Sequence, residues 1–298
     1  MLNKTLPDSL LYCATLVQSH MNKLLPENAT DSRLAEAMRY SALSDGKRIR
    51  PFLILTAAQI FGVDNDLAIN AAAAMEFVHC YSLIHDDLPA MDNDDFRRGK
   101  PTCHKQFDEA TAILAGDALL TYAFEILSDA KTHESAEVRL ELIKILAKAS
   151  GFRGMAGGQM IDLEKANKKI TKEELAALHR LKTGELFMAS AEMGAVLGGA
   201  SIQERKSLRY YANDLGLAFQ IKDDILDHAG LDTTETAIDE AAHKKSQDNA
   251  SIVDVVGMEV AFEQLDLLKH QAIAHLKSFG DKARLLIELT EFLVSRQK

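Results

Sequence analysis

Two acidic runs carry most of the chemistry this chain could do. The first is His85-Asp86-Asp87-Leu88-Pro89-Ala90-Met91-Asp92-Asn93-Asp94-Asp95, with five aspartates in ten residues. It closes an apolar stretch, 67–88, that reads as a central buried helix. Pro89 should end that helix and let Asp92 fold back towards Asp86. The second run is Gln220-Ile221-Lys222-Asp223-Asp224-Ile225-Leu226-Asp227. Its spacing of i, i+3, i+4 and i+7 puts Gln220, Asp223, Asp224 and Asp227 on one helix face. A single acidic run is normally a solvated surface. Two of them are costly, because like charges repel and carboxylates at a helix C-terminus oppose the macrodipole. That pattern suits hard divalent cations held on oxygen. Magnesium takes one or two carboxylates per ion and fills its shell with water and phosphate oxygens, so facing clusters leave room for a bridging diphosphate.

Cationic groups stand where such a ligand would need them. Gly46-Lys47-Arg48-Ile49-Arg50-Pro51 holds three cations in four residues, with Pro51 placed to start a helix. Arg97 and Arg98 follow the first acidic run. His79 lies seven residues before Asp86 on the same face, as either a core residue or a ligand contact. Lys182-Thr183-Gly184 interrupts a helical pattern, where glycine costs ~1 kcal/mol against alanine. A helix that must bend, or let a ligand approach its backbone, would explain that cost.

The elements that position these residues are helical. All five prolines fall at or before Pro101, leaving a long Ala-, Leu-, Glu- and Lys-rich remainder. Helices are expected over 31–43, 67–88, 111–129, 135–150, 172–197, 202–227, 250–278 and 281–296, with Asp31 as a cap and Thr171/Glu174 as a capping box. Alternating strand patterns are nearly absent. The expectation is one all-α domain over 1–298, a bundle of ten or more helices. The polar stretch 229–249 reads as either a functional lid or a mobile loop. The 298 residues carry a net charge of −10, which disfavours nucleic acid and anionic membranes as partners. The three cysteines, Cys13, Cys80 and Cys103, show no C-x-x-C spacing and read as reduced thiols. The N-terminus does not suit a signal peptide, and the apolar run 52–63 falls short of the ~20 residues of a bilayer span. A soluble cytoplasmic protein without stable membrane association is expected.

Together these motifs resemble those of the short-chain trans-isoprenyl diphosphate synthases, closest to the bacterial farnesyl type. The similarity rests on Gly46–Pro51, Asp86, Asp87 and Asp92 in D-D-x-x-x-x-D form, Arg97-Arg98-Gly99, Gly158-Gln159-Met160-Ile161-Asp162-Leu163, Lys182-Thr183-Gly184, and Phe219 through Asp227. The resemblance implies the isoprenoid synthase fold, with both Asp-rich motifs facing across a deep central cavity, and a homodimer. It implies three magnesium ions, with manganese as a substitute: two on Asp86 and Asp92, the third on Asp223 with Asp227 through water. Arg97, Lys182, Thr183 and Gln220 would hold the allylic diphosphate. Lys47, Arg50, His79 and Arg98 would hold isopentenyl diphosphate. Ionisation, condensation and elimination would then give farnesyl diphosphate, with Thr183 and the Gln220 amide steadying the carbocation. Tyr81 and Ser82, five and four positions before Asp86, would gate chain length; ordinary core packing is the other reading of Tyr81.

One stretch departs from the family pattern. The loop after the second motif is normally rich in Gly and Lys, but here it contains Asp232-Thr233-Thr234-Glu235-Thr236, with Asn249 where a lysine is expected. Lys244 or Lys245 could substitute. That departure leaves open a non-catalytic or regulatory subunit with the synthase fold. A di-iron carboxylate bundle is a further alternative, from the E-x-x-H pairs Glu76/His79 and Glu240/His243. A terpene cyclase fits less well, since its second metal motif mixes Asn, Ser and Glu.

Overall fold

The computed structural model describes residues 4–25, 32–165, 168, 170–229 and 251–296. They form α1 (Leu6–Leu24), α2 (Arg33–Ala42), α3 (Ile49–Ile60), α4 (Asn65–Asp86), α5 (Cys103–Gln106), α6 (Glu109–Ser128), α7 (Ala136–Ser150) and α8 (Met155–Lys165). After these come α9 (Lys172–His179), a π-helical segment (Arg180–Gly184), α10 (Glu185–Leu197), α11 (Ile202–His228), α12 (Ile252–Val256) and α13 (Met258–His275). A 3₁₀ segment (Lys277–Ala283) leads into α14 (Arg284–Ser295). The chain is all-α, as its composition predicts. Among the described residues the one sheet is a hairpin of Phe96–Arg97 with Lys100–Pro101.

Helix α4 is the axis of the bundle. Ala71, Ala72, Ala73, Ala74, Met75, Phe77 and Val78 are all fully buried, and α1, α2, α3, α6, α7 and α10 pack around it. The alanine run lets those neighbours approach closely; α10 is buried along its whole length. At Gly194 a Cβ would stand 2.4 Å from the Ile54 carbonyl oxygen and 2.7 Å from Ala57 Cβ, so α3 and α10 meet nearly backbone to backbone. Among the described residues, helices α4 and α6, rather than 52–63, are long and apolar enough to cross a bilayer. Burial inside the bundle accounts for that apolarity in α4, whose most apolar window is 67% buried.

Several local expectations change. Ser32 caps α2, its hydroxyl accepting from Ala35 N–H at 3.3 Å, and Asp31 lies outside the described residues. The capping box of Thr171 and Glu174 is present. Gly257, at φ 83, splits 250–278 into α12 and α13, because a left-handed backbone cannot continue a right-handed helix. The stretch 281–296 begins in the 3₁₀ segment. Helices α1 and α8 had no counterpart in the periodicity. The stretch 229–249 falls outside the described residues beyond Ala229. Cys13, Cys80 and Cys103 are buried free thiols.

A buried ion pair fastens the basic turn to the axis. Arg48 adopts φ 48, a left-handed conformation costly for a residue with a Cβ. Its Nη1 donates to Glu76 on α4 at 2.5 Å, and its Nη2 donates to Gln18 Oε1 and to the Ala42 and Ser44 carbonyls. Glu76 is thereby committed to a structural role, which removes it from a di-iron site; Glu240 and His243 lie outside the described residues. Replacing Glu76 with Ala strands the guanidinium and should cost about 3–5 kcal/mol. Equilibrium urea unfolding measures this, and a loss under about 1 kcal/mol would show that the pair does not anchor the turn.

Candidate active site

The first acidic run folds back as its proline predicts. Asp92 N–H donates to the Asp86 carbonyl at 2.8 Å, Asn93 N–H to that of Leu88 at 3.1 Å, and Asp94 N–H to that of Asp87 at 3.2 Å. Asn93, at φ 51, makes the reversal. Burial, the largest cause, pushes the Asp86 carboxyl up to about 7, with Asp92 adding to the shift and Lys182 opposing it. Burial also raises Asp92, again against Lys182 and with help from Asp162. Asp87 turns away: its Oδ1 accepts a hydrogen bond from Arg97 Nε at 2.7 Å and forms an ion pair with Nη2 at 2.6 Å. Arg98 at φ 54 and Gly99 at φ 73 form the two-residue turn that returns the hairpin.

The opposing wall is built on a helix defect. Lys182 and Thr183 lie in the π-helical segment, where an i→i+5 bulge reorients side chains inside a helix. Gly184 closes this segment, so the helical pattern is altered where the glycine falls. Gly158 on α8 makes room for it, since a Cβ there would stand 2.3 Å from Lys182 N. Lys182 Nζ meets Asp162 Oδ2 at 2.5 Å. Burial disfavours the charge on Lys182, but Asp162 and then Asp86 outweigh it and hold its pKa above the ordinary value.

Thr183 Oγ1 donates to Gln220 Oε1 at 3.3 Å, and Gln220 Nε2 donates to Asp224 Oδ1 at 3.1 Å. Asp224 Oδ2 then accepts Ile252 N–H at 2.7 Å. The acidic face of α11 thus divides its labour. Asp224 is buried and braces the start of α12, Asp223 pairs with Arg296, and Asp227 is exposed.

Between these walls lies a cavity of about 460 Å³. Asp86, Lys182 and Thr183 line it together with Arg50, His79 and Ser82, and Tyr81, Met155, Met160 and Leu163 are part of its apolar wall. Arg50 stacks 5.1 Å above the Phe187 ring, and burial lowers it to about 10. Burial, then Arg50, Arg98, Arg97 and Arg48, hold His79 well below its ordinary value, so its ring is neutral. Arg98 crosses Gly46, where a Cβ would stand 2.7 Å from Nη1. Lys47 is exposed and borders a separate cavity of about 270 Å³ near α1 and α14.

The donor set suits a hard divalent ion, since Asp86 and Asp92 offer only carboxylate oxygen in a desolvated, mutually repulsive setting. Among the described residues no three of His, Cys, Asp and Glu converge as a complete metal site. Oxygens from a bound ligand would have to complete each shell. Three contributors had no assigned role in the sequence reading. Asp87 holds Arg97 and Asp162 holds Lys182; both stand inside quoted motifs, but their partners are set by tertiary folding. Arg296 has no motif at all, yet its guanidinium lies on Asp223 and over the Phe219 ring at 4.5 Å.

The polyprenyl synthetase family matches residues 31–247. A farnesyl diphosphate synthase of Geobacillus stearothermophilus is 41% identical over 281 residues, covering 94% of each chain. That of Haemophilus influenzae is 43% identical over 291 residues, covering 94% of this chain and 96% of its own. A crystal structure of an FPP/GFPP synthase from Zymomonas mobilis superposes with a TM-score of 0.87 at 43% identity, over 97% of this chain and 99% of that one.

The charge arrangement has a consequence for stability. Because Asp86 is raised in the folded state, its carboxyl is protonated in both states below about pH 4. Between there and about 7 the unfolded chain ionises first, and stability is lost. In chelated protein, Asp86→Asn should therefore raise Tm at pH 8, with the gain shrinking towards pH 4. A lower Tm for the variant at pH 8 would contradict this.

Proposed function

This chain belongs to the polyprenyl synthetase family, and we propose that it condenses isopentenyl diphosphate with dimethylallyl and then geranyl diphosphate to give farnesyl diphosphate. The observation that carries the reading is the cavity itself, where Asp86, Lys182 and Arg50 share the wall of a largely apolar chamber. Magnesium or manganese would be held by Asp86 and Asp92 on one side and by Asp223 with Asp227 on the other, in three ions. Bound there, the metal would neutralise the departing diphosphate.

The remaining roles fall to the chain's own side chains. Lys182, held by Asp162, and Arg97, held by Asp87, present cations to the allylic diphosphate. Arg50 and Arg98 beside neutral His79 receive isopentenyl diphosphate, with Lys47 reaching in from the exposed basic turn. The allylic carbon–oxygen bond breaks, and its electron pair leaves with the diphosphate. The isopentenyl double bond attacks the allylic carbon, forming the new carbon–carbon bond. A proton then passes from the adjacent carbon to a diphosphate oxygen. The apolar wall shields the cation from water, and the Thr183 hydroxyl with the Gln220 amide steadies it.

Tyr81 stands edge-on to the His85 ring at 5.6 Å and lines the cavity, which supports it as a length gate. Ser82 is small, and its hydroxyl is satisfied by the His79 carbonyl at 2.8 Å, so it leaves the tail room. A homodimer is supported by the apolar residues that α6 and α7 expose: Ile113 at 44%, Leu114 at 56% and Leu140 at 66%. One domain over 1–298 and a cytoplasmic location complete the proposal. A non-catalytic subunit is not favoured, because the relatives at about 40% identity are themselves synthases.

Purified protein incubated with magnesium and both five-carbon diphosphates should give a dominant fifteen-carbon diphosphate by mass spectrometry; no condensation would overturn the proposal. Asp86→Ala or Asp223→Ala should each lower turnover by at least ~100-fold, and near-normal turnover would refute the metal assignment. Tyr81→Ala should lengthen the product to twenty carbons or more. An unchanged length would remove Tyr81 from the gate.

A further inference from the structure

Gln159 is the part of the cavity wall that the folded chain leaves unsatisfied. It is only 7% exposed, and neither Nε2 nor Oε1 has a hydrogen-bond partner. Buried amides almost always find partners, because an unmatched one bears its full desolvation cost. Arg50, on the same wall, has an unpartnered Nε as well. Both residues line one cavity, and a polar ligand there that draws the two groups round would complete them.

Position narrows the role. Gln159 follows Gly158, the point where α8 meets Lys182 N, so it sits beside the π-helical segment. The cavity it borders has Asp86, Lys182 and Thr183 on the proposed allylic side, and Arg50 and His79 on the isopentenyl side. Gln220, the other amide of the site, is committed at both ends, its oxygen to Thr183 and its nitrogen to Asp224. Gln159 adds to the site a second amide, with neither end partnered.

We infer that Gln159 contacts the substrates where the two subsites join, turning its amide oxygen towards the positive charge that develops on the allylic carbon. This rests on the prenyltransferase reading above. No bond to Gln159 forms or breaks; the electron pair and proton move as in that reaction. The orphaned amide is the ground-state counterpart of an interaction made during reaction, so it should lower the stability of the empty protein.

Gln159→Met keeps the length of the side chain and removes the dipole. In steady-state assays with both diphosphates and magnesium, kcat should fall at least ~10-fold, while KM for each substrate stays within about threefold. The Tm of the ligand-free variant should equal or exceed that of the wild type. A kcat within twofold of wild type, or a Tm several degrees lower, assigns the amide to packing and overturns the inference. If the Met variant fails to fold, Gln159→Leu replaces it, and failure of both also overturns it. A wild type that does not condense in the same assay overturns both readings; one that condenses beside an equally active variant overturns this one alone.

Discussion

The structure is organised around negative charge held out of water at the mouth of an apolar chamber. Asp86 and Asp92 are partly buried, close to each other, and raised in pKa mainly by desolvation. Such charges are tolerable only with compensating cations. Lys182 supplies one, and Asp162 sets where it sits. The bulge that carries Lys182, the glycine that admits it, and the folded-back acidic loop all follow from bringing these groups together.

The opposite kind of charge is handled in the same way. Arg48 keeps its positive charge paired with Glu76 in the core, and so fixes the turn from which Arg50 enters the cavity. Arg97 is held by Asp87, leaving Asp86 and Asp92 to face Lys182. Pairs such as Arg48–Glu76 contribute little net stability against an apolar core, and their value is geometric. They place unpaired or half-paired partners where a diphosphate can complete the balance.

Much of this was legible in the sequence, for physical reasons. The burial of α4 shows in its long, mostly apolar run, and the fold-back in Pro89. The capping box at Thr171 shows in its spacing, because each of these signals is local. What escaped depends on distant partners or on single backbone angles. The hairpin strands are two residues each, too short for alternation, and rest on the left-handed Arg98 and Gly99. Gly257 divides a helix that periodicity alone would continue. Asp224 shares its stripe with Asp223 yet braces α12, a difference set by Ile252. Arg296 reaches Asp223 across 73 residues of sequence, and no motif announces it.

Among the described residues the carboxylates are too few to hold metal alone, so the proposed magnesium ions would need diphosphate oxygens to complete each shell. Calorimetric titration of magnesium into the chelated protein, with and without inorganic diphosphate, tests it most directly. Magnesium alone should show no saturable binding at submillimolar concentration, and about three ions should bind per chain once diphosphate is present. Tight stoichiometric binding of magnesium in the absence of diphosphate would contradict it.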